Sequence, residues 1–437
     1  MLSSASMPLS TILIISAFIF TGCAETYHPG SIHDVGFRER AQSKSDEDVR
    51  VTVAVLTEEE SKELFGVDLA SKGIQPVWVK VENHGNRFYV LMWPGMDPNY
   101  FSPLEAAYAF HPGRSKSARE DVDDFFQHMK FKNPIVPNAS VSGFIFTNLD
   151  EGIKVVDVDL VGPKDAKFFT FFVKVPGLRA VHHAVDFEKL YSKDDIVQLN
   201  EAGLRAALEQ LPCCTTNEDG TESGDPLNFV LIGTLENLSS SFVRRGWLPA
   251  EQTHAEAAAK TIKSYLFGTR YRYSPFSPLY LYGRQQDKAA QKPRGTVHQR
   301  NHLRLWLSPM RFEGKPVWVG QVSRDIGVRF TAKTWPPVTH KIDPDVDEAR
   351  ISLILDLAYS QQLVKVGLVK GVGAATRSNP RQNLTGDPYF TDGYRAVLVF
   401  ERRPTSLSGL EYFYWEQGQA DRLKRLTRGR QQDFDEQ

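Results

Sequence analysis

The sequence predicts a chain of mixed α+β class, with a β-rich, sandwich-like domain over residues 49–176 and a mixed α/β domain over 227–415. Three observations carry that expectation. In the first part, runs such as Val156, Val158 and Leu160 alternate with Asp157 and Asp159, the pattern of an antiparallel strand with one covered and one wet side. In the second, the continuous apolar run from Leu227 to Ile232 reads as a strand covered on both faces, and Thr234 caps a helix directly after it. A length of 437 residues also exceeds one domain at roughly 150 residues each, and two or three fit.

The chain opens with a short apolar run, Thr11 to Phe20. A membrane-spanning helix needs about 20 apolar residues, so this run suits the apolar segment of a signal peptide. Thr21 and Gly22 before Cys23 resemble a bacterial lipobox. The expectation is a signal peptide over 1–22, lipid attachment at Cys23 with palmitate among the acyl groups, and a polar tether over 23–48. Ala24, rather than Asp, after the cysteine resembles outer-membrane sorting, which places the protein in the cell envelope, lipid-anchored and facing the periplasm.

Val49 to Leu56 then reads as a strand, and Thr57 with Glu60 forms a capping box that opens a helix to Phe65. Gln75 to Met92 reads as two strands joined in a hairpin at His84, Gly85 and Asn86. Two helices, Ser102 to Phe110 and Arg119 to Phe131, are separated by Pro112 and Gly113. Strands follow at Val141 to Phe146, Lys154 to Val161 and Phe168 to Val175.

Residues 177–226 read as a helical linker and a loop carrying Cys213 and Cys214. Neighbouring Cα atoms lie about 3.8 Å apart. That is below the usual disulfide span of about 4.4–6.8 Å, so the pair would close a vicinal disulfide or stand as two small side chains at a corner. After the strand and helix at 227–245, Thr253 and Glu256 form another capping box ahead of an Ala-rich helix ending at Gly268. Pro278 to Tyr282, His302 to Leu307, Pro316 to Ser323, Leu363 to Val369 and Tyr394 to Glu401 supply further strands. Asp343 and Pro344 fit the cap and first residue of another helix. Residues 416–437 read as a charged, solvated tail.

The chemistry gathers between Arg300 and Arg350. His302 and Arg304 share one face of a strand, and His340 and Asp343 stand at the expected mouth of a helix whose first amides attract anions. Arg304 and Arg324 are bidentate donors for carboxylate or phosphate, although Arg324 beside Asp325 could equally form an internal ion pair. Asp392 precedes a strand in a turn. Asp343, Asp345 and Asp347 copy the first ligands of a calcium loop, but Glu348 stands where that loop needs Gly and Ile354 where it needs Glu. No HExxH, paired CxxC, GxSxG or SxxK motif is present. No metal and no cofactor are expected, although His340, Asp343 and His302 or His254 would suit zinc if they met. A net charge of −1 excludes a chain-wide field for nucleic acid.

The segments PCCTTNEDGTESGDPLNFVLIG, RRGW, RNHLRLW, PVWVGQVSRDIG, THKIDPDVDEAR and YFTDG together resemble the LssY C-terminal domain family over roughly residues 211–400. That family's domain often follows membrane-embedded segments, so the resemblance implies an envelope-facing location. The expected partners are the membrane, through the lipid anchor, and an anionic envelope ligand held by His302, Arg304, Arg324, Asp325, His340, Asp343 and Asp392. The alternatives are a periplasmic hydrolase with a His/Asp site, or a purely structural envelope protein.

Overall fold

The β-branched and aromatic runs of the first 175 residues pair into two sheets, as seen in a computed structural model that describes residues 27–150, 153–175, 186–187, 189–249, 278–293, 300–330 and 338–428. Cys23, the helix expected at Thr253 to Gly268, and His254 lie outside the described residues. One sheet has the order β1 (Gln42–Asp46), β2 (Val49–Val55), β3 (Ile74–Asn83), β5 (Ala139–Asn148). The other runs β4 (Val90–Leu91), β6 (Ile153–Val161), β7 (Ala166–Lys174). Val51, Val53, Val77 and Val79 of the first sheet meet Val156, Val158, Phe169 and Phe171 of the second, which makes a sandwich. The alternate residues Ala54, Trp78 and Phe144 face outward, under α1 (Glu58–Phe65), α3 (Pro103–Tyr108) and α4 (Lys116–Met129). Each buried Phe there adds about 1.5–3 kcal/mol of burial.

Local chemistry sets several boundaries. Thr57 and Glu60 form the full capping box, and α1 ends at Gly66 in the left-handed conformation, where glycine carries no Cβ penalty. Two expectations fail here. Of the expected tether, residues 36–48 are structured, because β1 pairs with β2 and Phe37 is fully buried. The hairpin expected at His84 does not form either. The Asn83 amide bonds the carbonyls of Arg87 and Val136, and β4 crosses over to pair with β6.

The second part is a ten-stranded sheet among the described residues. Its short strands are β8 (Val197–Leu199), β12 (Leu248–Pro249) and β23 (Glu411–Tyr412); β9 (Cys214–Thr216), β10 (Ser223–Pro226), β13 (Tyr280–Leu281) and β14 (Arg284–Gln285) form a separate four-stranded sheet, and β20 (Arg381–Gln382) pairs with β21 (Pro388–Tyr389). Its frame runs β15 (Lys288–Pro293), β16 (Arg300–Phe312), β17 (Lys315–Phe330), β11 (Phe229–Ile232), β22 (Tyr394–Phe400), β19 (Leu363–Lys370). β18 (Val338–Ile342) extends the far end of β17. β11 is fully buried between antiparallel β17 and parallel β22, as its unbroken apolar run requires. Gly320 of β17 leaves room for the Phe229 ring, since a Cβ there would stand 2.2 Å from the ring edge.

Both faces of this sheet are covered. Leu303, Leu305 and Leu307 pack with α6 (Leu235–Arg244), α7 (Val346–Ala358) and α8 (Gln417–Arg428), while Trp306, Val317 and Val319 pack with α5 (Glu201–Glu209). The stretch read as a linker therefore contributes Leu204 and Leu208 to the core. The tail is not solvated throughout: Ala420 and Leu423 of α8 are buried. Among the described residues no helix is long and apolar enough to cross a membrane.

The outer face of β6 and β7, expected to be wet, is the junction between the two parts. Asp157 is fully buried and accepts from Thr170 Oγ1 at 2.5 Å and from Ser240 Oγ of α6 at 2.6 Å. Arg244 reaches Asp159 at 2.5 Å and Asp157 at 3.6 Å, and Arg402 reaches Asp157 at 3.4 Å. The Phe168 ring lies 5.5 Å from one guanidinium and 5.9 Å from the other. α2 (Trp93–Met96) supports the acid from behind, because Gly95 leaves the space that a Cβ would take 2.4 Å from Asp159. Removing one partner of a buried ion pair costs about 3–5 kcal/mol. Arg244→Ala should accordingly lower stability by that order, and calorimetry should show the two parts unfolding in separate transitions rather than together.

Candidate functional site

Strand alternation puts Arg300, His302 and Arg304 on one face of β16. The register then sets Gln291 of β15 and Ser323 of β17 on either side of His302, and Gln321 beside Arg304. Asp325 shares the face of Gln321 and Ser323 and is fully buried. Its carboxylate accepts from His302 Nε2 at 2.7 Å and from Arg300 Nε at 3.1 Å, and His340 Nδ1 of β18 stands 3.6 Å away. Arg300 Nη1 also donates to Gln291 Oε1 at 2.6 Å. Burial alone would raise the Asp325 carboxyl, but the charge and hydrogen bond of His302, then His340 and Arg300, hold it well below the usual carboxylate range.

Arg304 donates Nη1 to Gln321 Oε1 at 2.9 Å, and Gln321 Nε2 donates onward to Ser323 Oγ at 2.6 Å. Burial pushes the Arg304 guanidinium down to about 10, which attraction to Asp225 and Asp325 only partly offsets. Asp225 of β10 is itself buried and accepts from Asn383 Nδ2 at 2.9 Å. Two guanidinium groups and two imidazoles thus face two carboxylates. Ser323 Oγ lies 3.4 Å from His302 Nε2, the same ring nitrogen that bonds Asp325. A serine nucleophile and an orienting acid must use opposite nitrogens of their histidine, so these three residues do not form a catalytic triad.

The other residues singled out by sequence lie elsewhere. Arg324, next to Asp325 on an alternating strand, projects from the opposite face, and its carbonyl accepts from Asp343 N at 2.8 Å. Asp343 is not the helix cap: its side chain accepts from Asp345 N at 3.1 Å, and Asp345 caps α7 through Glu348 N at 3.2 Å. The first turn of α7 is therefore already supplied with an acceptor. Asp392 takes both Nη atoms of the fully buried Arg350, at 2.9 and 2.8 Å, with Arg422 at 3.5 Å. Burial would raise the Asp392 carboxyl, and the bonds and charge of Arg350 hold it below its ordinary value. Cys213 and Cys214 are joined as a disulfide, with Cys214 buried 3.6 Å from the Tyr389 hydroxyl. Among the described residues no three His, Cys, Asp or Glu side chains gather as a metal site.

The cluster that does form is thus His302, Arg304, Asp325 and His340, joined by Arg300, Gln291, Gln321 and Ser323. Arg300 could have been read from its two-residue spacing to His302. Gln291 could not, because nothing in the run Lys288 to Pro293 alternates like a strand. Around this cluster the chain carries RNHLRLW on β16 and VGQVSRDIG on β17, and comparison with known families settles on that region. Residues 205–394 match the family model of the LssY C-terminus. The LssY C-terminus segment runs from α5 to the first residue of β22 and contains the whole polar cluster, while the sandwich and α8 lie outside it. No curated protein matches the chain.

Because Asp325 is held low, it stabilises the fold above its unfolded value of about 3.9, and that contribution is lost as pH falls below it. Asp325→Asn should cost about 3–5 kcal/mol near pH 7, since it strips a buried carboxylate from Arg300 and His302. In urea titrations from pH 7 down to 2, the variant should lose less stability over the acid limb than the parent. An equal loss in both would show that Asp325 is not the acid-labile group.

Proposed function

We propose that this chain is an envelope lipoprotein, anchored through Cys23 at the outer membrane and facing the periplasm, that binds an anionic ligand at the Asp325 cluster. The observation that carries the reading is the convergence of Arg300, Arg304, His302 and His340 on one buried acid. With Asp225 counted beside Asp325, two arginines balance two carboxylates, and a proton on either imidazole makes the group net positive. His340 is the approach to it, with 27% of its side chain exposed, whereas Arg304 and His302 are buried. Charge-assisted bonds from an Arg to phosphate or carboxylate contribute about 1.5–3 kcal/mol each.

A hydrolase is the second reading, favoured by His340 alone: Asp325 faces its Nδ1, the placement of an acid that orients a histidine base. The two readings separate on one variant. His340→Ala in a binder should weaken inorganic phosphate binding, measured calorimetrically, and leave no reaction to lose. In a hydrolase it should abolish release of p-nitrophenol from p-nitrophenyl phosphate.

Arg304→Lys keeps the charge but loses the planar fork. Phosphate affinity should drop about tenfold with a melting temperature close to the parent's. A lowered melting temperature with unchanged affinity would mean that Arg304 serves the fold and not a ligand. For the anchor, Cys23→Ser should move the protein from the membrane to the soluble fraction on cell fractionation, and unchanged retention would overturn the lipoprotein assignment.

A further inference from the structure

The junction of the two parts forms a half-open cavity of about 300 Å³. Val155 and Phe172, from the outer face of β6 and β7, form one wall. Leu238 and Phe242 of α6 form another, and Leu305 with Trp318 closes it from the sheet. This is the face of β15 to β17 opposite the Asp325 cluster, because Gln291 and His302 point away from it. Its surface is mostly hydrocarbon and aromatic, with Ser239, Asp287 and Lys288 as its polar members, and apolar space of this kind takes apolar ligands.

One cation interrupts that lining. Lys288 stands across the ladder from Leu305 and projects on the same side as Ala290, into the cavity wall. Among the described residues its ammonium has no hydrogen bond and no ion pair, and it stands over the Phe187 ring, 5.5 Å from its centre. The acid beside it in sequence is committed elsewhere. Asp287 holds Arg284 through both oxygens, at 2.9 Å each, and accepts from Leu307 N at 2.7 Å. Burial lowers the Lys288 pKa, and Asp287 restores only part of it. A cation so placed gains from a counter-charge brought by a ligand.

We propose that this cavity is a binding site for a single-chain anionic amphiphile, its tail among Val155, Phe172, Leu238 and Trp318 and its carboxylate or phosphate head on Lys288. The volume selects one chain. At about 300 Å³ it sits at the small end of ligand pockets, about 300–1,000 Å³.

Trp247 and Trp318 line the cavity, so binding to the full chain can be read from intrinsic tryptophan fluorescence. The probes are hexanoate, octanoate, decanoate, decyl phosphate and decanol, each below its micelle concentration. Affinity should rise about fourfold per methylene up to decanoate, the ratio equivalent to about 0.8 kcal/mol of burial. Lys288→Met should lose at least tenfold affinity for decanoate and decyl phosphate, bind decanol as well or better, and melt higher without ligand. Preference between the two anionic probes tells which head group the site takes. Ala290→Leu, which fills the space, should block all of them. His340→Ala should leave decanoate binding untouched, which keeps this site separate from the Asp325 reading. The proposal is overturned if decanoate does not bind the parent chain, if chain length has no effect, or if decanoate and decanol bind the parent chain equally.

Discussion

The long ribbon formed by β16 and β17 is covered on both faces, and that coverage governs what its polar residues can do. A side chain that cannot reach water has to be paired inside the protein, because burying an ion alone costs far more than one hydrogen bond returns. Leu303, Leu305 and Leu307 satisfy one face by packing. On the other face the strand changes character along its length. Trp306, Val317 and Val319 are apolar, while Arg300, His302, Arg304, Gln321, Ser323 and Asp325 are polar and cross-bonded. The hydrogen-bond network is thus the continuation of a hydrophobic layer by other means.

The same constraint operates at three more places. Arg350 has no exposed surface and is held by Asp392 and Asp347. Arg244 joins the sandwich to α6 through Asp157 and Asp159. Asp356 collects Arg245, Lys292 and the Trp247 indole, each within 3.0 Å. Apart from Arg350 and Asp347, which are three residues apart on one helix, each acid and its basic partner are distant in the chain, so these pairs tie elements together that no local signal connects.

That distance explains what sequence could and could not reveal. The Thr57 capping box was legible because both partners lie within four residues, and the buried strand at Phe229 to Ile232 because its composition records burial on both faces. The shared face of His302 and Arg304 follows from alternation. Alternation misleads at Asp157 and Asp159: it separates an apolar side from a polar one, but a polar side is equally suited to water and to another domain's arginines. Asp343 failed as a cap by two residues, since Asp345 is an equally good cap and only the path of β18 decides between them. The partner of Asp392 could not be guessed, because Arg350 sits 42 positions earlier on α7.

The matched segment ends at Tyr394, yet the side of α6 that carries Ser240 and Arg244 is finished by Asp157, Asp159 and Phe168 from outside it. A chain that carried residues 205–394 without this sandwich would leave a basic, greasy flank open to solvent. Recombination could move such a segment between architectures only if the new neighbour brought acids to the same spot, or if Arg244 changed along with it. The junction thus acts as a compatibility requirement on any gene fusion that reuses the segment.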